Sequence, residues 1–278
     1  MKKENPAIIW HPAFLEAIKL ELGDYMDSLQ FYPEFQLADD PLRIDCIVIK
    51  KAPNITIKKN IATIFREVNL LEYKNPEDYV SVNDFYKVYG YACLYSSFEK
   101  VPITNLTISF VESRYPKKLV AHLTKVRKYT VEENSPGIYI IKGDLLPIQI
   151  INSRRLSADE NLWLKDLQYG LDPREMQRIL TEISRQGKEV KIGAYLEAIT
   201  RANNDSSREV IKMSRTRLSF EELLVEEGFH TKWETKGEVR GKESEALAIA
   251  KKMISSGFSF ETVVNMTELD PEKVKALY

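Results

Sequence analysis

The sequence predicts an α/β half of roughly 150 residues followed by a helical region, and three observations carry that prediction. Strand-like apolar runs alternate with amphipathic helical patterns as far as Asn152. Beyond Ser153 the patterns are helical, with few strand signals. The 278 residues, 44% apolar and 29% charged, have the balance of an ordinary globular chain long enough to bury a sizeable core. The boundaries drawn on this basis are 1–152 for the α/β domain and 153–278 for the helical region, with a long helix and short helical tail over 237–278.

In chain order, HPAFLEAIKLELGDYMDSL places Phe14, Leu15, Ile18, Leu22 and Tyr25 at helical spacing. FYPEFQLA and PLRIDCIVIKK read as strands separated by a turn at Asp39, Asp40 and Pro41. The run from Ile44 to Ile49 is apolar except at Asp45, as in a strand covered on both faces. NITIKK reads as a short strand, KNIATIFREVN as a connection and VNLLEYK as the next strand. VNDFYKVYGYACLYSSF is a tyrosine-rich helix capped by Ser81 or Asn83. ITNLTISFVES is an apolar strand, PKKLVAHLTKVRK a basic amphipathic helix, and GIYIIKG with LLPIQIIN a β-pair. Helical patterns follow in LSADENLWLKDL, REMQRILTEISRQG, VKIGAYLEAITRANN and SFEELLVEEG. A longer one lies between Gly241 and Gly257, and two short ones are divided near Asp270 and Pro271.

Composition excludes several classes of function. The 40 basic and 41 acidic residues leave a net charge of −1, so only local clusters could attract a polyanion. Cys46 and Cys93 cannot make a disulfide framework, and they suit a reducing interior. The N-terminus lacks a signal-peptide core, and no segment approaches the apolar length of a membrane span. A cytoplasmic protein without membrane contact is expected. His11, His122 and His230 show no metal-ligand spacing with the cysteines, which argues against a zinc site. GEVRGK lacks the gap of a phosphate-binding P-loop, and there is no G-x-S-x-G nucleophile elbow.

The chemistry concentrates in NLLEYKNPED. Alternation along a strand puts Glu72 and Lys74 on one face, with Leu71 and Tyr73 on the other. A charged pair in an apolar strand is costly unless something binds it, and Asp45 poses the same problem in RIDCIVIK. If the two strands are neighbours, Asp45, Glu72 and Lys74 meet at one point. Two carboxylates and a main-chain carbonyl form a hard oxygen site of the kind that holds Mg²⁺ or Mn²⁺. Such a cation activates water and polarises a phosphodiester, while an adjacent ammonium stabilises developing charge. The competing reading is that Asp45 pairs with Arg43 or a lysine, and that Glu72 and Lys74 form an exposed edge-strand pair contributing little.

At this point the order of elements resembles the PD-(D/E)XK nuclease superfamily: a helix with glutamate, a strand with aspartate, a strand with E-x-K, then a helix. PLRIDCIVIKK, IFREVNLLEYKNPEDYVSVNDFYKVYGYACLY and GIYIIKGDLLPIQII are similar to its recombination-promoting nuclease (Rpn) and transposase-associated branch. The resemblance covers most of residues 12–152, and GEVRGKESEALAIAKKMISSGFSFETVVNMTELDPEKVKAL resembles the tails of the same family. It implies a restriction-endonuclease-like core, an α-β-β-β-α-β arrangement around a mixed sheet. By position it makes Asp45 and Glu72 the metal ligands and Lys74 the catalytic lysine. A further glutamate comes from the first helix, with Glu21 the first choice and Glu16 the second. The aspartate follows Ile44 instead of a proline, with Pro41 four residues earlier.

Lys87 and Tyr91 share a helix face that could point toward a scissile phosphate, or could pack the core with Lys87 reaching to solvent. Lys50–Lys51, Lys58–Lys59, Lys117–Lys118 and the group Lys125, Arg127, Lys128 could line a groove that tracks a nucleic-acid backbone. SFETVVNMTELDPEKVKAL has the texture of a recombinase helix-turn-helix, although a packing or oligomerisation element is the preferred reading, with homo-oligomers formed through the C-terminal helices. The function expected is a Mg²⁺-dependent DNA endonuclease, linked by the resemblance to recombination or mobile elements. The alternatives are a non-catalytic binding module for DNA or protein, and a nuclease acting on RNA or branched DNA.

Overall fold

The computed structural model describes residues 8–36, 43–50, 52, 55–186 and 192–213. Two compact units divide the chain, Met1–Met213 and Ser214–Tyr278. The patterns expected in SFEELLVEEG and over 237–278, including pairing of copies through that region, lie outside the described residues.

The first unit is built on one mixed seven-stranded sheet in the order β1-β2-β3-β4-β7-β6-β5. The strands are β1 (Leu29–Gln36), β2 (Arg43–Lys50), β3 (Val68–Tyr73), β4 (Leu106–Glu112), β5 (Thr130–Ser135), β6 (Ile138–Lys142) and β7 (Ile148–Asn152). The central pairs β3–β4 and β4–β7 are parallel and the flanking pairs antiparallel. β3, β4 and β7 are buried along their whole length, which is why they read as unbroken apolar runs. The helices are α1 (Trp10–Glu21), α2 (Val82–Phe98), α3 (Lys117–Lys125), α4 (Leu162–Lys165), α5 (Pro173–Gln186), α6 (Gly193–Ala202) and α7 (Asn204–Met213). A mixed sheet flanked by helices is consistent with the restriction-endonuclease-like α/β core that the resemblance implied.

The two faces of the sheet are covered by different helices. Phe85, Val88 and Tyr91 of α2, with Leu119 and Leu123 of α3, join Leu70, Ile108, Phe110, Ile148 and Ile150 in one core. Phe14 of α1 instead stacks on Tyr73, at 4.4 Å between ring centroids. Because Tyr73 and Glu72 point to opposite faces, α1 and α2 lie on opposite sides of β3. α4 and α6 pack against α1, and Tyr195 of α6 donates its hydroxyl to the Trp163 carbonyl at 3.1 Å. Packing therefore carries the first unit past the boundary drawn at residue 152, as far as Met213.

Three local expectations change. Residues 55–58 form no strand. Instead Ile57 is buried and Lys58 N donates to the Tyr25 hydroxyl, while Gln149 Nε2 reaches the Ile61 carbonyl at 2.7 Å. The first helix stops at Glu21, and Gly23–Ser28 continues as 3-10 turns. A strand absent from the sequence reading, β5, pairs with β6 through a turn at Gly137. Gly137 has φ +81°, and a Cβ there would lie 2.7 Å from the Asn152 carbonyl oxygen, so only glycine fits.

Candidate active site

Cys46 and Leu71 form the last antiparallel pair between β2 and β3, and beyond them the strands part. In the fork, Tyr73 N finds no backbone acceptor and donates instead to Asp45 Oδ2 at 2.8 Å. A strand residue turns its N–H and C=O to the same side, so the Tyr73 carbonyl also faces the fork. Asp45 is thereby fixed through one oxygen. Its other oxygen, Oδ1, lies 3.6 Å from Nε2 of His11, which α1 brings from the opposite face.

Glu72 lies beside it, 2% exposed. Its Oε1 accepts from Lys87 Nζ at 2.9 Å and lies 3.4 Å from Lys74 Nζ. Its Oε2 is buried and has no hydrogen-bond partner. Burial and then the Asp45 charge push the Glu72 pKa up, against the pull of Lys87 and Lys74. Lys74 in turn donates to Asp84 Oδ1 at 2.9 Å. Burial disfavours its ammonium, but the hydrogen bond to Asp84 and the charge of Glu72 outweigh this and hold its pKa above the ordinary value.

The structure thus brings together Asp45, Glu72, Lys74 and Lys87. Tyr91 stays in the core with Lys87 Nζ 5.9 Å from its ring centre, while Lys87 reaches Glu72. It does not bring in the two helix glutamates. Glu21 ends α1 ten residues after His11, about 15 Å along the axis. There it accepts from Leu164 N at 3.0 Å and pairs with Lys59 at 2.8 Å, holding the start of α4. Glu16 accepts from Tyr195 N at 2.7 Å in the first turn of α6.

Three residues near the fork were missed: His11, Asp84 and Glu112. Glu112 meets the criterion that singled out Asp45 and Glu72, a charge inside an apolar strand. It is fully buried, Oε2 accepts from Val80 N at 3.1 Å, and burial raises its pKa to about 8. Asp84 was legible as the fourth residue of S-x-x-D, a capping-box pattern with Ser81. His11 carried no sequence signal, since only the packing of α1 on β3 brings it to Asp45.

A divalent cation suits this donor set. Asp45 Oδ1, the unpartnered Glu72 Oε2 and the Tyr73 carbonyl are hard oxygen donors of the class that holds Mg²⁺ or Mn²⁺ with water completing the shell. Among the described residues no group of three or more His, Cys, Asp or Glu is arranged to hold a metal. The basic clusters are partly engaged elsewhere. Lys50 donates to the Ile55 and Phe65 carbonyls, Lys59 pairs with Glu21, and Arg127 lies among Tyr86, Tyr89 and Tyr129 and pairs with Asp144. Lys58, Lys117, Lys118, Lys125 and Lys128 remain exposed, and Lys51 lies outside the described residues. No described helix is long and apolar enough to cross a membrane.

Residues 243–278 match the model of the Rpn/YhgA-like nuclease family, C-terminal HTH domain. This corrects the preference for a packing or oligomerisation element, since the terminal segment is similar to a helix-turn-helix. That family is the one that the motifs of residues 12–152 and the C-terminal stretch itself resemble. No curated protein and no solved structure matches the chain.

Proposed function

We propose that this chain, with Rpn-family features at both ends, is a divalent-cation-dependent endonuclease that hydrolyses phosphodiester bonds in DNA. The observation that carries the reading is the fork itself. A buried carboxylate oxygen without a partner, Glu72 Oε2, lies beside a carboxylate fixed by a main-chain N–H, with two ammonium groups on the remaining Glu72 oxygen. An exposed edge-strand ion pair, the competing sequence reading, would be neither buried nor short of a partner.

Asp45 and Glu72, with the Tyr73 carbonyl, would hold Mg²⁺ or Mn²⁺. When bound, the cation supplies a Lewis acid for the phosphate and lowers the pKa of water. Lys74 Nζ, kept protonated by its two carboxylate neighbours, donates to the phosphate as its charge rises. Lys87 holds Glu72 in orientation from α2. The helix-turn-helix match supports DNA as the polymer and a role for the tail in binding it. A link to recombination or mobile elements rests on the family resemblance.

Relaxation of supercoiled plasmid with and without Mg²⁺ tests this, comparing wild type with Asp45→Ala and Lys74→Ala. Cation-dependent nicking that both substitutions abolish, in folded protein that still binds DNA, is the expected result. Wild type inert with Mg²⁺ and Mn²⁺ on duplex, single-stranded, junction and RNA substrates would leave a DNA-binding module in its place.

A further inference from the structure

The segment between the E-x-K strand and α2 is stitched to the end of β4. Lys74 N donates to the Val111 carbonyl at 2.9 Å, Ser113 Oγ to the Pro76 carbonyl at 3.0 Å, and Val80 N to Glu112 at 3.1 Å. Asn75 Oδ1 accepts from the N–H groups of Glu77 and Asp78, tightening the turn between these anchors. The first turn of α2 is therefore delivered to a set place beside Lys74.

There Asp84 divides its two oxygens. Oδ2 accepts from Ser81 N at 2.9 Å and from Ser81 Oγ at 2.5 Å, while Ser81 Oγ accepts from Asp84 N, which together form a capping box. Oδ1 points outward and accepts from Lys74 Nζ at 2.9 Å. A capping box alone needs only one acceptor at this position. Among the described residues Lys74 is at ion-pair distance from two carboxylates, Glu72 at 3.4 Å and Asp84 at 2.9 Å. Glu72 is the one that a cation and Lys87 also claim.

We propose that Asp84 is the positioning residue for Lys74, closing the α2 cap with one oxygen and holding the lysine ammonium at the fork with the other when Glu72 is committed to a cation. This rests on the role given to Lys74 under the proposed function. It goes beyond that role by tying the lysine to the fold of α2, so that the helix start and the site are set by one side chain.

Full-length wild type, Asp84→Asn, Ser81→Ala and Lys74→Ala separate the possibilities. Asparagine keeps an oxygen for Ser81 and loses the anion; Ser81→Ala loses the cap and keeps the anion. Two quantities are read: steady-state plasmid relaxation with Mg²⁺, and acylation of Lys74 by an N-hydroxysuccinimide acetate, followed by peptide mass spectrometry with exposed Lys128 as internal reference. Asp84→Asn is expected to lower kcat about tenfold or more with KM little changed. It should also raise Lys74 labelling about tenfold or more against Lys128, the scale of one hydrogen bond to a charged group. Ser81→Ala should lower Tm while leaving kcat and labelling near wild type. Unchanged labelling and kcat in Asp84→Asn would overturn the inference, and so would a Ser81→Ala variant that reproduces both effects. Labelling that responds as expected while Lys74→Ala still cleaves upholds the holding role and overturns the role of Lys74 in catalysis. Inert Lys74→Ala with unresponsive labelling does the reverse.

Discussion

Glu21 and Glu72 are buried to a similar degree, 5% and 2% exposed, and burial raises both pKa values. Their surroundings differ in kind. Glu21 closes the end of α1 onto the start of α4, where the N–H of Leu164 and the ammonium of Lys59 take up its charge. Glu72 sits where two strands separate; two lysines crowd one oxygen and the other has no partner. Donors that belong to the fold match the charge of the first carboxylate, Leu164 N on Oε1 by a hydrogen bond and Lys59 on Oε2 by an ion pair that is not a geometric hydrogen bond. The second is left partly unsatisfied, with a like charge beside it, an arrangement that folding alone does not favour and that a bound cation would relieve. Burial alone therefore does not mark a site. Nor does an unpartnered oxygen alone, since Glu112 Oε1 and Asp166 Oδ1 share it; what marks Glu72 is that oxygen together with the Asp45 charge and two lysines beside it.

The sharpest way to break this comparison is to neutralise each glutamate in turn. Glu72→Gln removes one of two carboxylates available to a cation, and plasmid cleavage should fall on the order of a thousandfold, the scale of several kcal/mol of lost metal assistance. Its circular dichroism should remain that of wild type. Cleavage within a few-fold of wild type would remove Glu72 from the site.

Glu21→Ala should do the opposite. It leaves the N–H of Leu164 without its acceptor and removes the Lys59 ion pair, with the Glu160 carbonyl still accepting from that ammonium, for a loss of about 2–3 kcal/mol in urea unfolding. The kcat should stay within about twofold, since Glu21 lies roughly three helical turns from His11. A large fall in kcat without loss of stability would restore Glu21 to the place that the family resemblance gave it.

The fork was legible because strand alternation and an apolar background are local signals. Asp45, Glu72 and Lys74 stand out as charges in strands, and their meeting required only that β2 and β3 be neighbours, which they are. Lys87 was legible from helical spacing. The roles of Glu21 and Glu16 were not, because each is decided by helices more than a hundred residues later, α4 and α6. β5 was hidden for a different reason. TVEENS has neither an apolar face nor alternation, being an edge strand exposed along most of its length and held by its pairing with β6. In NITIKK the alternation of Ile55 and Ile57 suggests a strand, but Ile57 is buried from a coil segment.

Glu112 gives a smaller effect that extends the comparison to a third buried acid. Its pKa stands at about 8 in the folded chain against an ordinary 4.5, with burial the main cause. Between those values the folded state binds more protons than the unfolded state, so this group makes stability fall as pH rises. The slope it can contribute is at most about 1.4 kcal/mol per pH unit. Glu112→Gln should flatten the stability profile between pH 5 and 8, read by urea unfolding at several pH values. Some slope should persist from Glu21 and Glu72. A profile as steep as wild type would mean that Glu112 is ionised when folded.

The smallest effect needs no catalysis at all. If Asp45 and Glu72 hold a divalent cation in the folded state alone, then Mg²⁺ or Mn²⁺ at ten times its dissociation constant stabilises the chain by about 1.4 kcal/mol. That corresponds to a rise in Tm of about 4 °C for a unit of this size. Asp45→Ala and Glu72→Gln should lose the shift, whereas Glu21→Ala should keep it from a lower starting Tm, because the charge of its carboxylate is already matched within the fold. A shift that survives in Asp45→Ala and Glu72→Gln would place the cation elsewhere. A shift lost in Glu21→Ala would make the two glutamates one site, and the contrast between the two carboxylates would no longer separate structure from function.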